Sequence, residues 1–279
     1  MKNACLITIS LAFALTFCAQ CEEPAPKLDV LLDKAVEAER REDYKAALDF
    51  YAQAVKLFPT TPRSWAAYGE HLRFYAHDDA GAASAFHKTV ELPGEDSFAA
   101  AFAWRGLGEL EAKAGHDGKA VEYMEKSLAS QPLSDTYRSL CHLMVMHKNW
   151  DAAAKYAKAA TDLEPGDPIA LLLYASQLHR AGRVGEGRTV FRKAMTLAGI
   201  DEKGHASGPV HCCVLYNAAG YFGVIGQKDE ALKELEAFFK TPNHRHLTRE
   251  QIAGDPDFAG IKDEPRFGAL LAKYLSTQP

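Results

Sequence analysis

One spacing of residue types recurs along the chain and limits what it can fold into. Residues 119–132 read KAVEYMEKSLASQP, and residues 47–59 read ALDFYAQAVKLFP. In both, a small residue is followed after four positions by a long apolar or aromatic residue, after seven by a small residue and after twelve by proline. Side chains three to four positions apart share one face of a helix, and proline stops a helix because it lacks an amide proton. The spacing therefore predicts a repeated helical unit.

The most complete copy of the unit begins at Ala101. It places Trp104 at position 4, Leu107 at position 7 and Gly108 at position 8, ahead of the four positions just described. This order resembles the tetratricopeptide repeat, in which Trp-x2-Leu-Gly-x2-Tyr is followed by Ala-x3-Phe and then Pro. One departure is Glu111, which stands where the family has an aromatic or aliphatic residue. The resemblance implies two antiparallel helices per unit, which approach closely at the small residues while bulky residues fill the gaps between layers.

Six copies of the unit follow one another over residues 28–245. They begin at Leu28, Pro62, Ala101, Ser134, Pro168 and Cys212. The resemblance therefore implies an all-α fold, a right-handed α-solenoid of about six helix-turn-helix units. Two intervals between copies exceed one unit, and we expect the surplus residues, 93–100 and 200–211, to lie in loops. The second insertion is the better candidate for a specific role, and a long solvated turn is the alternative.

The last residues, 246–279, follow a different pattern and are predicted to form helices that cap the array. Thr248 and Gln251 have the spacing of a capping box, and Asp255 followed by Pro256 is typical of a cap and a first helical residue. A solenoid needs such a terminal unit to stay soluble. The apolar residues expected to cover the last repeat are Phe258, Ile261, Phe267, Leu270 and Leu271. No chemistry is expected from the acidic residues of this tail.

The N-terminal residues, 1–21, have the pattern of an export signal. Lys2 is followed by a run from Ala4 to Ala19 without a charge, which is short for a membrane span of about 20 residues. A cut after Cys21 would leave a polar lead-in, residues 22–27, so a periplasmic or secreted protein is expected. A lipoprotein anchored through Cys18 or Cys21 and an uncleaved anchor are the alternatives. A membrane partner is expected only if this segment is retained or lipidated.

Charge and motifs exclude several classes of function. The chain has 32 basic and 37 acidic residues, interspersed, whereas a nucleic-acid binder normally has a basic surplus for phosphate contacts. We find no Gly-rich phosphate loop, no His-Glu-x-x-His and no Gly-x-Ser-x-Gly. Carboxylates such as Glu109 and Glu111 are expected to lie on an ordinary charged helix surface. The sequence thus predicts no enzyme, no cofactor and no nucleic-acid partner.

Cysteine and histidine residues cluster around the second insertion. Cys212 and Cys213 are adjacent at a predicted helix start, and neighbours in sequence rarely form an unstrained disulfide. The histidines that could join them in a thiol-imidazole metal site are His205, His211, His244 and His246. Their spacing matches no standard zinc framework, so the sequence predicts no metal site. A metal- or redox-responsive accessory protein remains an alternative function. Cys141 stands at the small position 8 and is predicted to be a packing residue.

The family resemblance also implies a ligand groove. In the family, the first helix of each repeat lines a concave surface, mainly through positions 2, 5, 9 and 12. The residues predicted to bind a peptide there are Arg63, Arg73, Arg105, Glu109, Arg138, His142, His179 and Tyr216. Four arginines along one channel favour an acidic peptide or a C-terminal carboxylate, because guanidinium pairs with carboxylate in bidentate fashion. Ordinary solvated helix faces are the alternative.

These observations lead to one principal functional hypothesis. The chain is predicted to be an exported, non-catalytic scaffold that binds a protein or peptide in its concave groove, with acidic peptides as one ligand class. An assembly factor or lipoprotein adaptor of an envelope complex is an alternative. The metal- or redox-responsive accessory protein that would use Cys212 and Cys213 is another.

Overall fold

The computed structural model describes residues 27–93, 96–200, 210–241 and 247–275. The predicted export signal and most of the lead-in lie outside these ranges, as do His205, His244 and His246. Within the described ranges every regular element is a helix. None of the helices described is both long enough and apolar enough to span a membrane.

Twelve helices of the described chain form six consecutive pairs, and the two helices of each pair pack against each other. The pairs are α1 (Leu28–Arg40) with α2 (Tyr44–Leu57), α3 (Pro62–Phe74) with α4 (Asp79–Glu91), α5 (Ser97–Lys113) with α6 (Asp117–Ser130), α7 (Ser134–Met146) with α8 (Trp150–Leu163), α9 (Pro168–Arg180) with α10 (Val184–Leu197), and α11 (Cys212–Val224) with α12 (Lys228–Phe239). The predicted α-solenoid is confirmed.

The turn inside the pair has the same backbone conformation in five of the six pairs, and in the second pair it is one residue longer, so that the Asp78 N–H donates to the Leu72 carbonyl. One residue per turn has a positive φ: Glu42, His77, Gly115, Lys148, Gly182 and Gly226. The residue that follows donates its N–H back into the first helix, as His116 does to the Glu111 carbonyl at 2.9 Å. This is the Schellman geometry, which satisfies carbonyls left open at a helix end. The repeated turn makes the two helices of every pair antiparallel.

Small residues allow the two helices of a pair to approach closely, as the spacing predicts. A Cβ added to Gly108 would lie 2.8 Å from Cγ of Met124 and 3.0 Å from the Ala120 carbonyl oxygen. Both distances are too short for a methyl group, so only glycine allows α5 and α6 to approach this closely. Phe86 of α4 is likewise fully buried against Gly69. The pattern that defines the repeat is therefore a packing pattern.

The prediction that residues 93–100 lie in a loop is partly wrong. The first helix of the third pair begins at Ser97 rather than at Ala101, so α5 includes four residues that were expected in a loop. The Asp96 side chain starts the helix by accepting the backbone N–H of Ala99 at 2.9 Å. Ala99 is buried, so the extra turn is also held by packing.

The tail folds over the last pair. It consists of α13 (Arg249–Gly254), a 3₁₀ turn (Pro256–Phe258) and α14 (Pro265–Leu275). The capping box of Thr248 and Gln251 is present. The tail residues buried in one cluster with Leu235 and Phe238 of α12 are Phe258, Ile261, Phe267 and Leu271, with Leu270 packed at its edge. Phe238 stands seven residues after Ala231, where the repeat has a small residue, and this cluster explains why a bulky side chain fits there.

Candidate ligand groove

The first helices of the pairs form the concave face of the array. Contacts between first helices link α1 to α3, α3 to α5, α5 to α7 and α9 to α11. In the described part of the chain, second helices of neighbouring pairs contact each other much less. The layer whose helices lie closer together is the inner side of a curved array. The groove implied by the family resemblance therefore lies along α3, α5, α7, α9 and α11.

A cavity of about 820 Å³ opens on this face between α3, α5, α6 and α7. Four of the eight predicted groove residues line it, namely Arg73, Glu109, Arg138 and His142. Its apolar part is formed by Met124, Leu143 and Met146, and the Met146 side chain is among the most exposed large apolar groups of the described chain. The cavity thus combines an apolar patch with a charged rim.

The floor of the groove contains an ion network that the sequence did not predict. Arg105 of α5 donates to Glu70 of α3 at 3.1 Å and lies 3.5 Å from Glu109. Arg73 pairs with the same two carboxylates, at 3.3 Å from Glu70 and in close contact with Glu109. The Arg105 side chain is only 8% exposed. Two arginines and two glutamates therefore neutralise one another within the groove.

Burial and the neighbouring charges shift the pKa values of Glu70 and Arg105 in opposite directions. Burial raises the pKa of Glu70, and the neighbouring Arg105 and Arg73 only partly offset this. Burial alone would lower the pKa of Arg105, but the carboxylates of Glu109 and Glu70 outweigh it and raise the pKa instead. Arg105 is therefore a permanent cation held by internal carboxylates. The expectation that Glu109 lies on an ordinary solvated surface is wrong, because it belongs to this network.

Arg138 is the most accessible arginine on the cavity wall. Its guanidinium lies 2.5 Å from Asp167, 2.9 Å from Glu164 and 3.1 Å from Asp135, and 27% of its side chain is exposed. Ser139, beside it, donates to Glu109. An anionic ligand at Arg138 would therefore have to share or replace carboxylates of the protein.

Two other predicted residues lie away from this cavity. Arg63 pairs with Asp29 of the first helix at 2.9 Å, and both side chains are largely exposed. His179, in α9, has a buried Nδ1 that no described group hydrogen-bonds. Burial and the charges of Arg188 and Arg180 lower the pKa of His179, which favours its neutral form.

The far end of the groove is occupied by the tail of the same chain. Arg180, at the end of α9, donates to Asp257 at 2.7 Å and to the Pro256 carbonyl at 3.0 Å. Tyr216 of α11 donates its hydroxyl to Asp255 at 2.7 Å. The segment Asp255–Asp257 is thus an acidic turn bound on the concave face. Tyr216, which was predicted to contact an external ligand, contacts this turn instead.

Small residues let the acidic turn lie deep in the groove. A Cβ on Gly220 would lie 2.9 Å from a carboxylate oxygen of Asp257, and one on Gly260 would lie 2.7 Å from the Gly223 carbonyl oxygen. These contacts are made by α9 and α11, whereas Cys141 of α7 is buried in a separate cluster with Ala153 and Ala157 of α8. Burial, and to a smaller extent the Asp257 charge, raise the pKa of Cys141 to about 12. The tail therefore covers the concave surface of α9 and α11.

The tail also reaches towards the near end of the groove. Leu247 and Gln251 share the lining of a cavity of about 550 Å³ with Arg73 and Lys113 of α3 and α5. The start of α13 therefore faces α3 and α5, and the acidic turn after α13 lies on α9 and α11. Of these two cavities, the one between α5 and α7 is the larger.

A comparison of the sequence with models of known protein families agrees with the paired-helix fold. The family model described as Tetratricopeptide repeat matches residues 147–199, a range that contains α8, α9 and α10. This match assigns a tetratricopeptide repeat to residues 147–199. No curated protein matches its sequence significantly.

Solved structures share the fold of this chain. PilW, a widely conserved type IV pilus biogenesis factor, is 17% identical, with 79% of this chain and 96% of that chain covered and a TM-score of 0.55. PilF of Pseudomonas aeruginosa is 14% identical, with 78% and 94% covered and a TM-score of 0.53. The matching chain of the APC/C hetero-tetramer Cut9–Hcn1 is 13% identical, with 91% and 43% covered and a TM-score of 0.57. At these identities the likeness concerns the fold alone.

Proposed function

We propose that this protein is an exported, non-catalytic scaffold that binds a segment of another protein in the cavity between α5 and α7. The observation that carries the proposal is the open cavity of about 820 Å³ on the concave face, next to a groove end that the tail already covers. Its volume is typical of ligand sites, which measure about 300–1,000 Å³. Export rests on the pattern of residues 1–21.

The lining of the cavity favours a ligand with an apolar anchor and a carboxylate. Met146, Leu143 and Met124 offer a flexible apolar surface, and methionine adapts to ligands of varied shape. Arg138, on the rim, is the cation that a ligand carboxylate reaches most easily, since Arg73 and Arg105 are tied to buried glutamates. An acidic peptide therefore remains the proposed ligand class, with Arg138 as its contact.

Charge pairing in the cavity supports a binding role rather than a catalytic one. Lys113 is paired with Asp79, and His147 lies 2.7 Å from Asp117. An acid or base that acts on a substrate needs a pKa tuned to its task and direct access to the reacting atom. The charged groups of the rim are instead held by one another, as expected of a surface that positions a partner.

The test is the effect of a matched pair of substitutions on peptide binding. Peptides selected on the parent protein from a random display library are expected to lose at least about tenfold in affinity on Met146→Glu, because a buried unpaired carboxylate is costly in an apolar pocket. Leu163→Glu is the control, since Leu163 is also an exposed apolar residue and lies at the end of a second helix. Equal binding to both variants would refute the proposed site.

An adaptor of an envelope complex is the second candidate function. It is favoured by the uncharged run from Ala4 to Ala19, which would hold the chain at a membrane if it is retained, or if Cys18 or Cys21 is lipidated. Intact mass of the protein isolated from its producing cell separates the candidates. A chain that starts near Glu22 supports the exported scaffold, and a retained segment or a lipid adduct supports the adaptor.

A further inference from the structure

Three metal-ligating side chains meet where α11 begins. One nitrogen of His211 and the thiol sulfurs of Cys212 and Cys213 all lie within 4.8 Å of one another. The two sulfurs are 4.0 Å apart, and both thiols are free. Cys212 is buried, Cys213 is half-buried and His211 is exposed, so the cluster is accessible from one side.

The local backbone orients these ligands. The backbone N–H of Cys213 donates to Nδ1 of His211 at 3.3 Å, so Nδ1 is the unprotonated nitrogen and its lone pair faces the helix start. Burial and the neighbouring Cys212 raise the pKa of the Cys213 thiol, so a bound cation has to displace the thiol proton. The sulfurs are also kept available, because adjacent cysteines rarely close an unstrained disulfide.

We infer that His211, Cys212 and Cys213 bind one thiophilic divalent cation of the zinc type. Two sulfurs bound to tetrahedral zinc at about 2.3 Å lie about 3.8 Å apart, close to the 4.0 Å of the free thiols. The exposed His211 ring can complete the site by a small rotation. Binding would release the two thiol protons to solvent, and two thiolates would balance the charge of the cation. The fourth position would be left for water or for a further ligand.

The site goes beyond the proposed scaffold function and does not depend on it. It lies at the join between the second insertion and the last helix pair, and Cys212 belongs to the apolar cluster that holds the tail. A bound cation would fix the path of the chain into α11. Metal binding would therefore stabilise the capped end of the array.

The test is a titration of the full, reduced chain with Co²⁺, followed by displacement with Zn²⁺. The background carries Cys5→Ser, Cys18→Ser and Cys21→Ser, so that the CAQC segment cannot contribute ligands. One Co²⁺ per chain is expected, with the near-ultraviolet charge-transfer band of a cobalt–thiolate bond. Zn²⁺ should abolish this band and raise the melting temperature.

Matched variants identify the ligands. The double variant Cys212→Ser, Cys213→Ser should lose the band, and His211→Ala should weaken binding by at least about tenfold, since even losing an outer-shell partner costs about 10–100-fold. Because His211 is exposed, its variant should fold like the parent. Cys141→Ala, which removes a thiol elsewhere, should bind normally. The inference would be overturned if the background protein showed no band or if the band survived in the double variant. Unchanged affinity in His211→Ala would also overturn it.

Discussion

Replacing Arg105 by glutamate should destabilise the protein by more than about 3–5 kcal/mol, the usual cost of breaking a buried ion pair. Arg105 is 8% exposed and contacts both Glu70 and Glu109. The substitution would place a third carboxylate beside these two and leave Arg73 as their nearest cation. Removal of the partner and repulsion between like charges act in the same direction. Urea or thermal unfolding followed by circular dichroism measures the effect.

Arg63→Glu is the matched control for this experiment. Arg63 occupies a first helix as Arg105 does, but its side chain is 55% exposed and pairs with an exposed carboxylate, Asp29. Exposed pairs contribute about 0–1 kcal/mol, so the control should unfold close to the parent. Part of the lost stability should return in the charge-swapped double variant Glu70→Arg, Arg105→Glu. Similar unfolding of Arg105→Glu and Arg63→Glu would show that the network is not buried as described.

Replacing Arg180 by alanine should release the acidic turn of the tail from the groove. Arg180 is 10% exposed and is the cation paired with Asp257, whose neighbour Asp255 is also acidic. Its loss leaves buried carboxylates without a counter-charge, at a cost of about 3–5 kcal/mol. Because the tail follows the last helix pair, it can open while the six pairs stay folded, and this opening should become about 100-fold or more frequent.

Hydrogen exchange of the backbone amides of Phe258 and Ile261 in the native protein reports this opening. Both residues are buried, and their amides donate within the tail, Phe258 to the Asp255 carbonyl at 3.0 Å and Ile261 to the Phe258 carbonyl at 2.9 Å. Exchange should be slow in the parent and at least about 100-fold faster in Arg180→Ala. Arg183→Ala is the control, since Arg183 is exposed and pairs with Glu186 of its own helix. An unchanged rate in Arg180→Ala would mean that Arg180 does not hold the tail.

Much of the fold was predictable because its determinants are local and repeated. Small residues at fixed offsets, such as Gly108 against Met124, are required wherever two helices approach closely, so they recur with every unit. The tail was recognisable for the same reason, since the capping box of Thr248 and Gln251 depends on a three-residue spacing. The start of α5 was missed because the side chain of Asp96 adds a turn before the repeat begins.

The ion pairing of the groove residues was less predictable, because it depends on contacts between repeat units. Arg105 was identified as a groove residue, but its pairing with Glu70 arises between positions 35 residues apart. Opposite charges separated by about one repeat length are a signal that could have revealed it, and Arg63 with Asp29 shows the same spacing. The pairing of Arg180 with Asp257 has no such signal, since it follows from where the tail folds.

The most direct test of the central claim is photo-crosslinking from defined positions of the protein in its producing cells. A photoreactive residue is placed at His142, which is exposed at the wall of the cavity, or at Lys155, which is exposed on the second helix α8. If the cavity between α5 and α7 binds a partner protein, one discrete adduct should form from His142, disappear with Met146→Glu, and be absent from Lys155. An adduct that forms from Lys155 and not from His142 would contradict the claim and place the partner on the outer face.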